Sequence, residues 1–405
     1  MQRVSPLSGL RVLDLSRVLA GPTATQMLGD LGADVVKVER PIRGDDTRGY
    51  GPPFLPAAEA DERDVSAYFI AANRNKRSIA IDLASAEGAR LVRRLAGQAD
   101  VLVENFRSGD LDSKGLGYEA LRVQNPRLIY CSISGFGRTG PRAREAGYDL
   151  IAQAMSGLMQ LTGPIDGSPA KVGLGIADLI CGYHAVIAIL AALARREQSG
   201  RGQHIDVALY DTQLAALSTV AVDAFATGKD PARLGNGHPH IVPYGVFETR
   251  DGHMALTLGN DAQFERFAGL AQAPEWRSDP RFAHNAARVG HRAEVDAAVT
   301  EVLRRRTTAE WCELLAAAGL PCGPVRSVLS AFADADANER SMRVALPTSQ
   351  LSAGSVDLVA NPVRFSESPV SYRLPPPKLD EHAAEIKRDW LGDVDRSQYA
   401  AGRMC

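Results

Sequence analysis

The chain alternates strand-like and helix-like segments from its first residues, and few architectures accept that alternation. The apolar runs LRVLDL (10–15), ADVVKVE (33–39), SIAIDL (78–83), ADVLVEN (99–105) and LIYCSIS (128–134) are strand-length and set off by turn-forming residues. Helical spacing at 22–31 and 85–97 separates them. Parallel strands joined by helices require right-handed crossovers, so this part reads as a doubly wound α/β unit. A further helix is expected at 149–161, and DLICGYHAVIAILAALARR (178–196) reads as an all-round apolar helix buried in the core.

At 405 residues the chain exceeds one compact domain. After residue 216 its character changes. YGVFETRDGHMALTLG has the pattern of a hairpin turning at Asp251-Gly252, and three helical stretches follow. From about 326 the chain is irregular and Pro-rich, with a strand-like VDLVANPVRFS and a final helix able to dock back on the first part. The expected division is 1–215 for the large α/β domain, 216–325 for a small α+β domain, and 326–405 for a return to the large domain.

Charge and cysteine usage exclude several classes. A net charge of −2 with basic residues dispersed among acidic ones gives no electrostatic footprint for nucleic acid. Five widely spaced cysteines, Cys131, Cys181, Cys312, Cys322 and Cys405, include no CxxC pair and argue against a disulfide framework or zinc. The start MQRVSPLSGLRVLDLS lacks a signal-peptide core, and no stretch offers roughly 18 uninterrupted apolar residues. The expectation is a cytoplasmic protein with no membrane partner and no bound metal.

Two motifs invite specific chemistry. GFGRTG (135–140) follows a strand but lacks the helix opening and the later ribose-binding acid of a dinucleotide site, so it reads as a glycine loop over an active site, with Gly135 and Gly137 near the substrate. HPH places His238 and His240 on one side of an extended segment, without a third metal ligand nearby; they read as loop histidines near substrate. The basic residues Lys37, Arg40, Arg43, Arg74, Lys76 and Arg77 cluster at strand ends. They form either a solvated rim or a phosphate site.

Asp178 stands alone in VGLGIADLICG. As a helix N-cap it needs no further explanation. As a carboxylate desolvated by apolar flanks near a helix start it could act as a nucleophile, with GLG (173–175) admitting a ligand to the backbone. Local pattern leaves both readings open. Cys181, three residues on, reads as core packing.

Seven stretches together resemble the class III coenzyme A transferases, the family of formyl-CoA:oxalate transferase. They are LSGLRVLDLSRVLAGPTATQMLGDLGADVVKVERPIRGDDTRG, NRNKRSIAIDL, ADVLVENFRSG, NPRLIYCSISGFGRTGP, GYDLIAQAMSGLMQLTG, VGLGIADLICG and GLPCGPV, in the family's order across nearly the whole chain. The resemblance implies a Rossmann-like large domain, a small domain and an interlocked homodimer. It implies that Asp178 is the nucleophile, and that CoA and acyl-CoA are substrates, with no permanently bound cofactor. It places Arg17, Val18, Leu19 and Ala20 against CoA, with Arg17 and Leu19 where the oxalate enzyme has His and Gln. Arg40, Ile81, Asn105, Tyr148 and Asp149 join them. Basic family contacts fall on Ala84, Ser113 and Ala146, leaving Lys114 as a substitute. Tyr148 stands where the racemase branch has a histidine base, and a phenol is poorly poised for two-base proton transfer. GNGHPHIVPYGVF and GNDAQF resemble the branch that uses short dicarboxylic acids. The implied activity is CoA transfer from succinyl-CoA to a dicarboxylate; a 2-methylacyl-CoA racemase and a non-catalytic acyl-CoA-binding protein are the alternatives.

Overall fold

The computed structural model describes residues 4–392; Cys405 and the end of the C-terminal segment lie outside the described residues. The chain forms two compact units. The first comprises residues up to 158, 172–221 and from 336 onward; the second comprises Met159–Lys171 and Val222–Ala335. The second unit thus starts and ends later than the 216–325 expected, and it also takes in 159–171. One reason lies in the chain itself: the single helix expected at 149–161 breaks at Gly157, whose φ is +92°, leaving Asp149–Met155 and Leu158–Leu161.

In the first unit, six strands build one parallel sheet: β1 (Arg11–Asp14), β2 (Asp34–Glu39), β3 (Lys76–Ala80), β4 (Val101–Glu104), β5 (Ile129–Ser134) and β6 (His204–Ala208). Their order is β3-β2-β1-β4-β5-β6, with every pair parallel. Chain direction across the sheet reverses between β1 and β4, so the loops leaving these strands diverge. They open a crevice at the carboxyl edge, where such sheets hold ligands.

Alternate residues of each strand feed opposite faces. Val12, Val35, Val101 and Ile129 pack beneath α1 (Ala20–Asp30) and the long helix α4 (Ile176–Ser199), joined by Ala177, Cys181, Ala185 and Ile189. Leu13, Val36, Leu102 and Tyr130 pack on the other face with α2 (Ala86–Ala96) and the last described helix, Ala383–Leu391, through Ile386 and Trp390. That last helix is also fixed by polar contacts: Arg77 pairs with Asp34, Glu385 and Asp389, and the Trp390 indole donates to Asp34 at 2.8 Å.

Helix α4 departs from the all-round burial expected of it. Its buried stripe runs Ala177, Cys181, Ala185, Ile189, Ala192, while Tyr183, Ile187 and Leu190 on another face are exposed, Ile187 by 63%. It is long and apolar enough to cross a membrane by length and composition alone. Here its buried stripe packs on α1, β5 and β6 as a core helix of the first unit.

The second unit has a three-stranded antiparallel sheet in which β7 (Tyr244–Glu248) and β8 (His253–Thr257) form the Asp251-Gly252 hairpin and β9 (Cys322–Pro324) pairs with β8. Its core sets Phe264, Phe267, Trp276 and Trp311 among aliphatic residues such as Leu256, Val299 and Leu315.

Candidate active site

Helix α4 starts at Ile176 with Gly175 as its N-cap and no side-chain cap of its own. Asp178 is therefore the third residue of the first turn and not the cap. The capping acceptor comes from α3 (Asp149–Met155): Asp149 Oδ1 accepts from the Ala177 N–H at 2.8 Å. Its other oxygen accepts from Gln153 Nε2 at 2.7 Å, and Gln153 Oε1 in turn accepts from the Val172 N–H at 2.9 Å. With the cap supplied from elsewhere, the Asp178 carboxylate accepts no hydrogen bond among the described residues. Burial first, and the like charge of Asp149 second, push its pKa up to about 7. A half-buried carboxylate without hydrogen-bond donors keeps its electron pairs available, which suits a nucleophile.

Gly182 explains how α4 reaches this place. A Cβ there would stand 2.7 Å from the carbonyl oxygen of Ala20, so only glycine lets α4 lie against the first turn of α1. Two turns earlier, Gly175 separates Asp178 from Leu19: a Cβ at Gly175 would meet Leu19 Cδ2 at 3.1 Å and Asp178 Oδ2 at 3.6 Å.

Asp178 opens on a cavity of about 430 Å³ at the carboxyl edge of the sheet. The structure brings nine of the residues singled out from the sequence to this cavity: Arg17, Val18, Leu19, Ala20, Asn105, Gly135, Tyr148, Asp149 and Asp178. They come from the loops after β1, β4 and β5 and from the starts of α3 and α4. Asn105 stitches two of these loops together, its Oδ1 accepting from the Arg17 N–H at 2.9 Å while its Nδ2 donates to the Arg17 carbonyl at 2.7 Å. Gly135 and Gly147 meet back to back, a Cβ on either coming within 2.4 Å of the other's backbone, so the glycine loop closes on itself.

Other residues lie elsewhere. Ile81 is 4% exposed in the core cluster of β1, β2 and β3. Lys114 ends a short turn, Asp112–Lys114, and does not line the cavity. Gly137 is tied back by its N–H to Ser134 Oγ at 2.9 Å. Arg40 lines a neighbouring cavity of about 540 Å³ with Arg43, Arg48 and Lys378. Asp46 lines both cavities and pairs with Arg17 at 3.3 Å and with Arg40. His238 and His240 belong to the second unit. They do not alternate along a strand: His238 bridges to Ile241 across a turn that contains His240, His238 packs on Tyr244, and His240 Nε2 meets Asp223 Oδ2 at 2.9 Å. Among the described residues no cluster of three or more metal-ligating side chains occurs.

Four of the six clustered basic residues are neither a solvated rim nor a phosphate site. Lys37 pairs with Asp45, Lys76 with Asp14, Arg74 with Asp30 and Arg77 with Asp34, all four cations buried. Sequence reasoning also missed cavity residues. Tyr50 lines the cavity and packs edge-to-face on Tyr68 at 5.5 Å, and burial together with the charge of Asp178 pushes the Tyr68 phenol up to about 12. Arg107 and Ser108, just after Asn105, line it too; their place directly after a strand end was the available signal.

Comparison with known proteins shows the family. The sequence model of CoA-transferase family III matches residues 7–383. The succinate–glutarate CoA-transferase of Agrobacterium fabrum is 48% identical over 398 residues, 98% of each chain. The human succinyl-CoA:glutarate CoA-transferase is 39% identical, covering 98% of this chain and 89% of its own. A crystal structure of a CaiB/BaiF family protein from Brucella suis superposes with a TM-score of 0.85 at 45% identity, covering 96% of this chain and all of that one. With a family match over nearly its whole length and relatives well above 30% identity, the chain belongs to CoA-transferase family III.

Proposed function

We propose that this enzyme moves CoA from succinyl-CoA to a short dicarboxylic acid such as glutarate, with Asp178 as the covalent carrier. The observation that carries the reading is the unpartnered, half-buried carboxylate of Asp178 facing a cavity at the switch point of the sheet. The names of the similar transferases from Agrobacterium fabrum and human support the choice of acids.

The carboxylate attacks the thioester carbonyl and expels CoA thiolate, leaving a succinyl–aspartyl anhydride. The thiolate then attacks the aspartyl carbonyl and releases succinate, giving an aspartyl-CoA thioester. The acceptor carboxylate attacks that thioester and expels the thiolate again; thiolate attack on the acceptor carbonyl of the new anhydride yields the product and frees Asp178. Thioester energy is conserved throughout. Apolar neighbours such as Leu19, Ile133 and Leu209 keep water from the anhydride. Arg17, Asn105 and Tyr148 line the route for the pantetheine arm, and the Arg17–Asp46–Arg40 chain leads on to the second cavity, lined by cations and carboxylates alike, where Arg40, Arg43 and Arg63 offer donors to the nucleotide phosphates.

A homodimer belongs to the same reading. Its support is the exposed apolar face of α4, Tyr183, Ile187 and Leu190, which a second copy would cover.

The test offers succinyl-CoA with a panel of monocarboxylic and dicarboxylic acids and follows new thioesters by mass spectrometry, with hydroxylamine added to trap Asp178 as its hydroxamate. Glutaryl-CoA and a hydroxamate at Asp178 are expected. Product without any trapped Asp178, or solvent deuterium entering 2-methylacyl-CoA without an acceptor, would overturn the reading.

The pH dependence follows from the same carboxylate. Only ionised Asp178 attacks, and its pKa is about 7, so the rate falls roughly tenfold per unit as pH drops below that value. Asp149→Asn keeps a carbonyl oxygen to cap Ala177 but deletes the like charge. The acid limb of the pH profile is then expected to move to lower pH; an unmoved limb would mean that the Asp149 charge does not act on Asp178.

A further inference from the structure

We infer that Asp45, held by Lys37, is a positioning residue for the transfer reaction: it clamps the turn after β1 in a conformation the turn would not keep unaided, and so sets the wall that faces Asp178. The turn runs from Ser16 to Ala20, and its centre is Val18, whose φ is +72°. A β-branched side chain is rarely found in that left-handed region, and something must hold it there.

Three bonds do so. The Val18 N–H donates to Asp45 Oδ1 at 3.3 Å; the Ser16 carbonyl accepts from Lys37 Nζ at 3.0 Å; and Lys37 Nζ also donates to Asp45 Oδ2 at 2.9 Å. Asp45 is fixed in turn by the Thr47 N–H and hydroxyl, at 3.0 and 2.8 Å, and its own N–H donates to Glu39 Oε2 at 2.9 Å. Glu39 is gripped by Arg48 and Ser78. The clamp is thus rooted in β2, which supplies Lys37 and Glu39, and it reaches across to the loop of the neighbouring strand.

Lys37 and Asp45 have no exposed side-chain surface. An ion pair buried that completely is a weak source of stability compared with apolar packing, so its contribution is better sought in the geometry it enforces. Burial alone would raise the Asp45 pKa, but Lys37 and Thr47 hold it at about 2, so the clamp stays charged at any working pH. What it enforces is adjacent to the chemistry. Leu19 follows Val18 and abuts Gly175 beside Asp178, and Ala20 opens α1 under Gly182. If Val18 relaxed to a negative φ, both residues would swing away from the reacting carboxylate.

The test is a double-mutant cycle read by exchange of labelled succinate into succinyl-CoA, which does not depend on glutarate being the acceptor. Asp45→Asn weakens the hold on the Val18 N–H, and it is expected to lower kcat by about 30-fold while the KM for succinyl-CoA changes by less than about threefold. Val18→Gly removes the conformational penalty, because glycine accepts a positive φ freely. In that background Asp45→Asn should cost less than about threefold in kcat. A merely structural role would give the same loss in both backgrounds. Should Asp45→Asn fail to fold, Thr47→Val weakens the clamp without stranding Lys37, and its smaller loss of kcat should likewise vanish in the Val18→Gly background. Full kcat in folded Asp45→Asn, or an equal loss in both backgrounds, would overturn the inference. The inference rests on Asp178 as the reacting group. Absence of exchange in the unaltered enzyme would count against that reading, whereas exchange that Asp45→Asn leaves intact counts against this one alone.

Discussion

Asp178→Asn is expected to lower CoA transfer by at least about 10³-fold, because covalent catalysis has no substitute carboxylate in place. It is also expected to raise the melting temperature at pH 8. The sign of the second effect follows from the raised pKa. The Asp178 carboxyl titrates at about 7 in the folded chain against an ordinary value of 3.8, so the native state disfavours its ionised form. That penalty builds as pH rises above 3.8 and is complete above 7. Asparagine, which is neutral throughout, removes it, so the gain in melting temperature should be largest at pH 8 and vanish near pH 4. Loss of activity accompanied by equal stabilisation at both pH values would show that the charge is not what burial penalises. Retained transfer would exclude Asp178 as the carrier. An acid held at a cost to stability, without hydrogen bonds to settle it, is what a reactive carboxylate requires.

Parts of this arrangement were legible in the sequence, for physical reasons that differ from segment to segment. Strands β1, β2, β4 and β5 announce themselves because both faces are covered and each reads as an apolar run. The edge strand β6 was not anticipated, since its residues His204, Ile205 and Asp206 are only partly buried or exposed and give no such run. β3 begins two residues earlier than expected because Lys76 and Arg77 are buried as ion pairs, which composition reads as surface. The start of α4 was misplaced for a different reason. An Asp before an apolar helix looks like a cap locally, but the real cap, Asp149, lies 29 residues earlier and reaches Ala177 only through the fold. Asp178 as a site was legible mainly through the resemblance of VGLGIADLICG to a known motif; its isolation from hydrogen bonds is a tertiary fact. Tyr50 and Tyr68 carried no pattern at all, since only packing brings their rings together near the acid.

The glycine of that motif supports the prediction that most directly links packing to chemistry. In the interior of a helix, glycine to alanine normally gains about 1 kcal/mol. Gly182→Ala is expected to do the opposite, lowering stability by about 1–3 kcal/mol, the usual range for overpacking. The added Cβ would stand 2.7 Å from the Ala20 carbonyl oxygen and 3.5 Å from Thr23 Cβ, and the nearer atom is backbone, which cannot rotate away. Relief requires α4 to shift off α1. Asp178 lies one turn before Gly182 on the same helix and Leu19 one residue before Ala20, so any shift opens the gap across which Asp178 faces the cavity wall. A displacement approaching 1 Å costs on the order of 10²-fold in rate when reacting groups must be held in line, so kcat should fall far more than the loss of stability alone would produce at assay temperature. Urea unfolding and exchange kinetics on the same preparation separate the two effects. A more stable, fully active Gly182→Ala enzyme would mean that α4 does not depend on this contact to place Asp178.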